Sequence, residues 1–229
     1  MNRLARLVTR RKAPSAPPDG TPPRAVLFDF DGTIGDTFQA GYEILNQLAG
    51  EFGFRPLREE DLPRVRNMRT RELMSFLGIP TTKLSRISRR GTQELAGRIH
   101  GIQPLPGTAD AIRSLASSGL TLGIITSNTE SNVRAFLANH NLNHFSLVRS
   151  SSKLLGKARE IRAALKVFQM HPREVLFVGD ETRDIEACKK VGVPIAAVTW
   201  GYNSRVALEA MEPDYVVSTP EELLALLSI

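Results

Sequence analysis

The chain has a single cysteine, Cys188, among its 229 residues. An internal disulfide framework is therefore excluded, and a reducing compartment, the cytoplasm, is the expected location. Long apolar runs are also missing. None approaches the roughly 18 to 20 residues of a membrane span, so no stable membrane insertion is expected. The basic start is not followed by an apolar core of about 7 to 15 residues, which argues against a secretory signal. Four histidines (His100, His140, His144, His171) include one i, i+4 pair. With no cysteine or third ligand beside it, that pair falls short of a zinc site. A broad basic surface is lacking too. Of the 30 basic and 24 acidic residues, five and one fall within residues 1–23, leaving a net charge of only +2 for the rest. Nucleic acid is not an expected partner.

Residues 1–23 pair an Arg-rich start with Pro14, Ser15, Pro17, Pro18, Gly20, Pro22 and Pro23. That composition predicts a solvated tail that packs no element. Leu4, Leu7 and Val8 are also spaced for a short amphipathic turn, so a targeting or membrane-surface role stays open. The 41% of hydrophobic residues can bury a sizeable core.

What organises the chain is Arg24-Ala25-Val26-Leu27-Phe28-Asp29-Phe30-Asp31-Gly32-Thr33. An apolar strand ends in two carboxylates, a glycine and a hydroxyl. Side chains two apart on a strand point the same way, so Asp29 and Asp31 can aim at one point beyond its end. Gly32 lets the chain turn sharply there. Two such carboxylates form a hard oxygen site suited to Mg²⁺; the plainer alternative is a tight Asp-Gly turn.

Downstream the period becomes helical. Phe38, Gly41, Tyr42, Leu45, Leu48, Ala49 and Phe52 predict a helix, and further helices are predicted over 59–66, 70–78 and 81–100. No strand is expected between about 38 and 104, so this stretch reads as a small all-helical domain. Thereafter helices (107–118, 129–140, 157–169, 182–192, near 204–211, and from Glu221) alternate with strands (120–127, 146–150, 175–180, 195–200, 214–217). This alternation predicts an α/β fold with a doubly wound parallel sheet.

Two further strands end in chemistry. Thr121–Asn128 closes on Ser127 and Asn128, although Ser127 and Glu130 also have the spacing of a helix capping box. Val175–Asp184 closes on Gly179-Asp180, with Asp184 four residues on. Between them Lys157 opens a helix, where a lysine opposes the macrodipole at a cost of a few tenths of a kcal/mol. Lys153 lies four residues earlier and competes for the same role. Trp200-Gly201-Tyr202-Asn203 follows a strand on the ligand side, either lining the site or forming a plain loop. The arginines of the helical stretch (Arg64, Arg66, Arg69, Arg71, Arg86, Arg89, Arg90) read mostly as a solvated face.

In their chain order these segments resemble the four motifs of the haloacid dehalogenase superfamily, over about residues 24–225. The helical stretch is similar to that superfamily's type-1 cap, and the whole resembles its phosphoglycolate-phosphatase-like branch. The third-motif lysine there is often followed by proline; here Ala158 follows. The resemblance implies a Rossmann-like core (24–36 and 105–229), a cap (37–104) and a phosphatase acting on a small phosphorylated metabolite. It implies Asp29 as nucleophile and Asp31 as general acid and base. Mg²⁺ would be held by Asp29, the main-chain carbonyl of Asp31 and Asp180, with Asp184 at or just behind the metal. Thr33, Ser127, Asn128 and Lys157 would hold the phosphate. A phosphomutase of the same superfamily and a non-catalytic interaction scaffold are the alternatives. A homodimer is compatible with the sequence, which leaves the oligomeric state open.

Overall fold

The structure, a computed structural model, describes residues 22–151 and 156–229. The expected tail, apart from Pro22 and Pro23, lies outside the described residues, as does Lys153. In chain order the elements are β1 (Ala25–Phe28), α1 (Phe38–Phe52), α2 (Leu62–Val65), α3 (Thr70–Leu77), α4 (Leu84–Ala96), α5 (Thr108–Ser117), β2 (Thr121–Thr126) and α6 (Glu130–Asn139). They continue as β3 (Phe145–Ser150), α7 (Lys157–Phe168), β4 (Val175–Gly179), α8 (Thr182–Val191), β5 (Ile195–Val198), α9 (Arg205–Glu209), β6 (Tyr215–Val217) and α10 (Pro220–Leu226).

All strand pairs are parallel, in the order β3-β2-β1-β4-β5-β6. The chain thus winds outward from β1 in both directions, and β1 sits at the switch point where α/β sheets open a crevice. Phe28 is in register with Ile124 of β2 and Val178 of β4, so the ends of three apolar strands lie side by side.

Strand alternation divides the core. Val26 and Phe28 pack with Ile112 of α5, Phe136 of α6 and Leu223 of α10 on one face. Ala25 and Leu27 pack with Ile161 of α7 and Ile185 of α8 on the other. Burial on both faces explains why these strands are continuous apolar runs rather than polar-apolar repeats. The buried side chains of α1, α3 and α4, among them Ile44, Leu48, Leu77 and Ile87, continue the first of these clusters.

The sequence boundaries hold with small adjustments. The helix expected over 59–66 is a 3₁₀ turn (Glu59–Asp61) followed by the single turn of α2. Pro63 sits in the first turn of α2, where its missing N–H costs nothing. The helix expected over 81–100 is α4 between two 3₁₀ turns. Among the described residues no strand interrupts the helical stretch between β1 and α5.

Candidate active site

The carboxylates of Asp29, Asp180 and Asp184 are buried, with one oxygen of each lying within 4.8 Å of the others. Asp29 directly follows β1, and its N–H donates to Val178 O at 2.8 Å, locking the tips of β1 and β4 together. Gly32 turns the chain back at φ 75°, and a Cβ there would run into the Tyr202 ring and the Asp180 carboxylate. Gly201 is equally confined, because a Cβ would collide with Asp180. Glycine is required at both positions by this crowding.

Lys157 is the first residue of α7 and is 5% exposed. Its Nζ lies 2.7 Å from Asp29 Oδ2 and also pairs with Asp184 Oδ1. Burial works against its charge, but the carboxylates of Asp184 and Asp29 prevail and hold its pKa above the ordinary lysine value. The contact with Asp29 is off the direction of a hydrogen bond, so Asp29 Oδ2 is buried without a hydrogen-bond partner. Asp29 Oδ1 accepts from Phe30 N at 2.8 Å.

Asp180 is fully buried and held on both oxygens. Thr33 Oγ1 donates to its Oδ1 at 2.6 Å, and Tyr202 N donates to its Oδ2 at 2.6 Å. Thr33, the residue expected at the phosphate, sits at the same cluster with its hydroxyl proton on Asp180. The Asp31 side chain stands apart from the three clustered acids. Asn128 Nδ2 donates to its Oδ1 at 3.2 Å, and Thr126 Oγ1 lies 3.5 Å from its Oδ2. Burial and then the nearby Asp29 charge push its pKa up to about 6, so its protonated form is readily reached.

Asn128 is itself fixed, since its Oδ1 accepts from Thr129 N at 2.8 Å and Asn132 Nδ2 at 2.9 Å. The capping box that the Ser127 and Glu130 spacing allows does not form. Helix α6 starts at Glu130 and is capped by Thr129, whose hydroxyl accepts from Asn132 N at 3.2 Å. That frees Ser127, whose Oγ accepts from Arg183 Nη2 at 3.2 Å.

Arg183 is a site residue that sequence reasoning passed over. It lies in the first turn of α8 and its Nη2 also pairs with Glu181 Oε1. The signal was present, because an arginine in a first helical turn opposes the dipole just as Lys157 does. Of the two readings of the segment 200–203, the structure favours the one that lines the site: Tyr202 reaches Asp180 through its main chain and Thr37 Oγ1 through its hydroxyl at 3.1 Å.

Among the described residues, Asp29, Glu181 and Asp184 act on both buried cations, Lys157 and Arg183, with Asp180 packed beside Asp29 and Asp184, and Asp31 set apart against Asn128. Burial first, and then the neighbouring carboxylate charges, drive the pKa of Asp180 well above the usual range. Burial likewise lifts Asp184 to about 7, against the pull of Lys157. A cluster of hard oxygens with surplus negative charge, one of them an Asp29 oxygen that Lys157 meets as an ion pair without a hydrogen bond, fits a divalent cation.

The match to known proteins agrees with this geometry. Residues 26–198 match the family model described as haloacid dehalogenase-like hydrolase. A phosphoglycolate phosphatase of Synechococcus elongatus is 37% identical over 202 residues, covering 88% of this chain and 95% of that protein. A phosphoglycolate phosphatase of Salmonella typhimurium is 30% identical over 235 residues, covering 90% of this chain and 93% of that protein. Among solved structures, a haloacid dehalogenase-like family hydrolase from Streptococcus pneumoniae superposes with a TM-score of 0.71 at 22% identity, over 89% of this chain and 97% of that one. CbbY from Rhodobacter sphaeroides, solved in complex with phosphate, superposes with a TM-score of 0.67 at 20% identity, over 90% of this chain and 99% of that one. The likeness to these two structures concerns the fold, whereas the family model spans three strand tips and the acids they carry. The chain belongs to the haloacid dehalogenase-like hydrolase family.

Proposed function

We propose that this hydrolase is a phosphatase that acts on a small phosphorylated metabolite through a phosphorylated Asp29, with phosphoglycolate as the candidate substrate. The observation that carries this reading is the buried Asp29 carboxylate, with Oδ2 lacking a hydrogen-bond partner, beside Lys157, Asp180 and Asp184. The substrate is taken from the two relatives described above, and nothing in the helical stretch selects it by itself.

In the first step an oxygen of Asp29 attacks phosphorus, and the bond from phosphorus to the alcohol oxygen breaks. Asp31, with its raised pKa, gives its proton to that departing oxygen. In the second step water attacks the phosphorus of the aspartyl-phosphate, Asp31 takes back a proton, and the bond to Asp29 breaks. Two like charges 4 Å apart repel by about 4 kcal/mol at an effective dielectric near 20, so positive charge must offset the approach of phosphate to a carboxylate. Lys157 supplies part of it. A divalent ion, Mg²⁺ by the hardness of the oxygens, would be held by Asp29, Asp180 and the Asp31 carbonyl with Asp184 behind, and when bound it neutralises charge on the phosphoryl oxygens. Ser127 and nearby main-chain amides would hold those oxygens, while Asn128 orients Asp31 and Thr33 orients Asp180.

The segment 37–104 serves in this reading as a cap over the crevice and 24–36 with 105–229 as the core. No helix among the described residues is long and apolar enough to cross a membrane, and a single cysteine, Cys188, fits the reducing cytoplasm in which a metabolite phosphatase would work. The test is phosphate release from phosphoglycolate by the wild type and by Asp29→Asn. Phosphate release should fall by at least about a thousandfold in the variant. Release that persists unchanged in Asp29→Asn overturns the mechanism, and transfer of the trapped phosphoryl group to a sugar instead of water would identify a mutase.

A further inference from the structure

The loop following β5 faces two ways. Toward the core, Tyr202 N holds Asp180 Oδ2 at 2.6 Å, and Asn203 N approaches Asp180 O at 3.4 Å. Toward the helical stretch, Arg66 Nη2 donates to Gly201 O at 2.8 Å and Ser204 N donates to Arg66 O at 2.8 Å.

One side chain spans both. Asn203 is 7% exposed, and its Oδ1 accepts from Thr182 N, the first amide of α8, at 2.9 Å. Its Nδ2 donates to Arg66 O at 3.0 Å and Met68 O at 3.1 Å, in the turn between α2 and α3. A carboxamide offers an acceptor at one corner and two donors at the other. All three are used, across separations of 21 to 137 positions in the chain. Asp180 is wedged against this same loop, because Gly201 and Gly32 leave no room beside its carboxylate. The turn at 66–68 therefore cannot lift from the core without drawing on the loop that holds Asp180.

We infer that Asn203 is a positioning residue that seats the helical stretch on the core and, through the 201–204 loop, fixes the direction of the Asp180 carboxylate. Its part is to make the seated arrangement and the productive acid cluster one state. The inference goes beyond the proposed activity, and only the kinetic arm of its test rests on that reading.

The test uses the full chain with Asn203→Asp, which keeps the acceptor for Thr182 N but loses both donors, and with Asn203→Ala, which loses all three bonds. Hydrogen–deuterium exchange is followed at residues 66–73 and along β1 and β4, and kcat and KM are measured with phosphoglycolate at saturating Mg²⁺. In both variants the amides of 66–73 should exchange at least tenfold faster while those of β1 and β4 stay within twofold. In both, kcat should fall at least fivefold. Should the Asn203 variants fail to fold, Arg66→Met loosens the same junction from the helical side and should show the same local rise. Unchanged exchange at 66–73, or an equal rise throughout β1 and β4, overturns the inference. So does an Asn203→Asp variant with faster local exchange and wild-type kcat. If the wild type itself releases no phosphate, the phosphatase reading fails, and the exchange pattern still decides the seating.

Discussion

Thr33 Oγ1 donates to Asp180 Oδ1 at 2.6 Å, tying the loop after β1 to the tip of β4 across 147 positions of sequence. Thr33 is 1% exposed and Asp180 is fully buried, so neither can turn to water for a replacement. Thr33→Val keeps the shape and removes the donor. Leaving a buried acceptor short of one partner costs about 1–3 kcal/mol, and urea unfolding of the metal-free variant should show that loss. A midpoint equal to wild type would mean that Asp180 is satisfied without Thr33.

Lys157 stands between Asp29 and Asp184 with both carboxylates buried. Lys157→Met retains most of the apolar stem and deletes the charge. Breaking a buried pair from one side typically costs about 3–5 kcal/mol, and chemical denaturation should register a loss of that order. Turnover should fall with it, because the compensation for an incoming phosphate is gone. A variant as stable and as active as wild type would remove Lys157 from the site.

Divalent metal should stabilise the folded chain. At a hundredfold excess over its dissociation constant a ligand confined to the native state contributes about 2.7 kcal/mol, read as a rise in melting temperature on adding Mg²⁺ and its loss with chelator. Asp180→Asn should abolish most of that rise. An unchanged rise in this variant would place the metal elsewhere.

Two of the left-handed glycines, Gly32 and Gly119, separate crowding from backbone strain. Both have positive φ, 75° and 85°, but a Cβ meets nothing within 4 Å at Gly119, whereas at Gly32 it strikes Tyr202 and Asp180. Gly119→Ala should cost about 1–2 kcal/mol, the strain of the left-handed region alone. Gly32→Ala should cost more and should also depress turnover. Equal losses in thermal unfolding would show that the crowding at Gly32 is relieved cheaply.

The strands that form the site were legible because buried parallel strands are apolar throughout and stop abruptly at polar residues. Asp29, Asp31 and Asp180 could be singled out on that pattern; the part of Asp184 comes from the family resemblance, and Lys157 stays in competition with Lys153. What the sequence hid were the partners. Thr33 turns to Asp180, Arg183 to Ser127, and Asn203 to Arg66 and Met68. Each of these pairs is brought together only by the winding of the sheet, and no local spacing encodes it. The choice between the two readings of Ser127, helix cap or site residue, was likewise hidden: both Ser127 and Thr129 suit the cap, and only the point where α6 begins decides between them.

The placement of β1 between β2 and β4 carries one consequence for how such a chain can diversify. Neighbouring strands in any sheet stand about 4.8 Å apart, a spacing dictated by main-chain hydrogen bonds and indifferent to side chains. The acids at the tips of β1 and β4 are thus mounted on a ruler that mutation cannot stretch. The loop after β5 is pinned as well, by Gly201 and Asn203, so changes in what the crevice admits must be written into the helices over 38–96, the pieces left with room to vary.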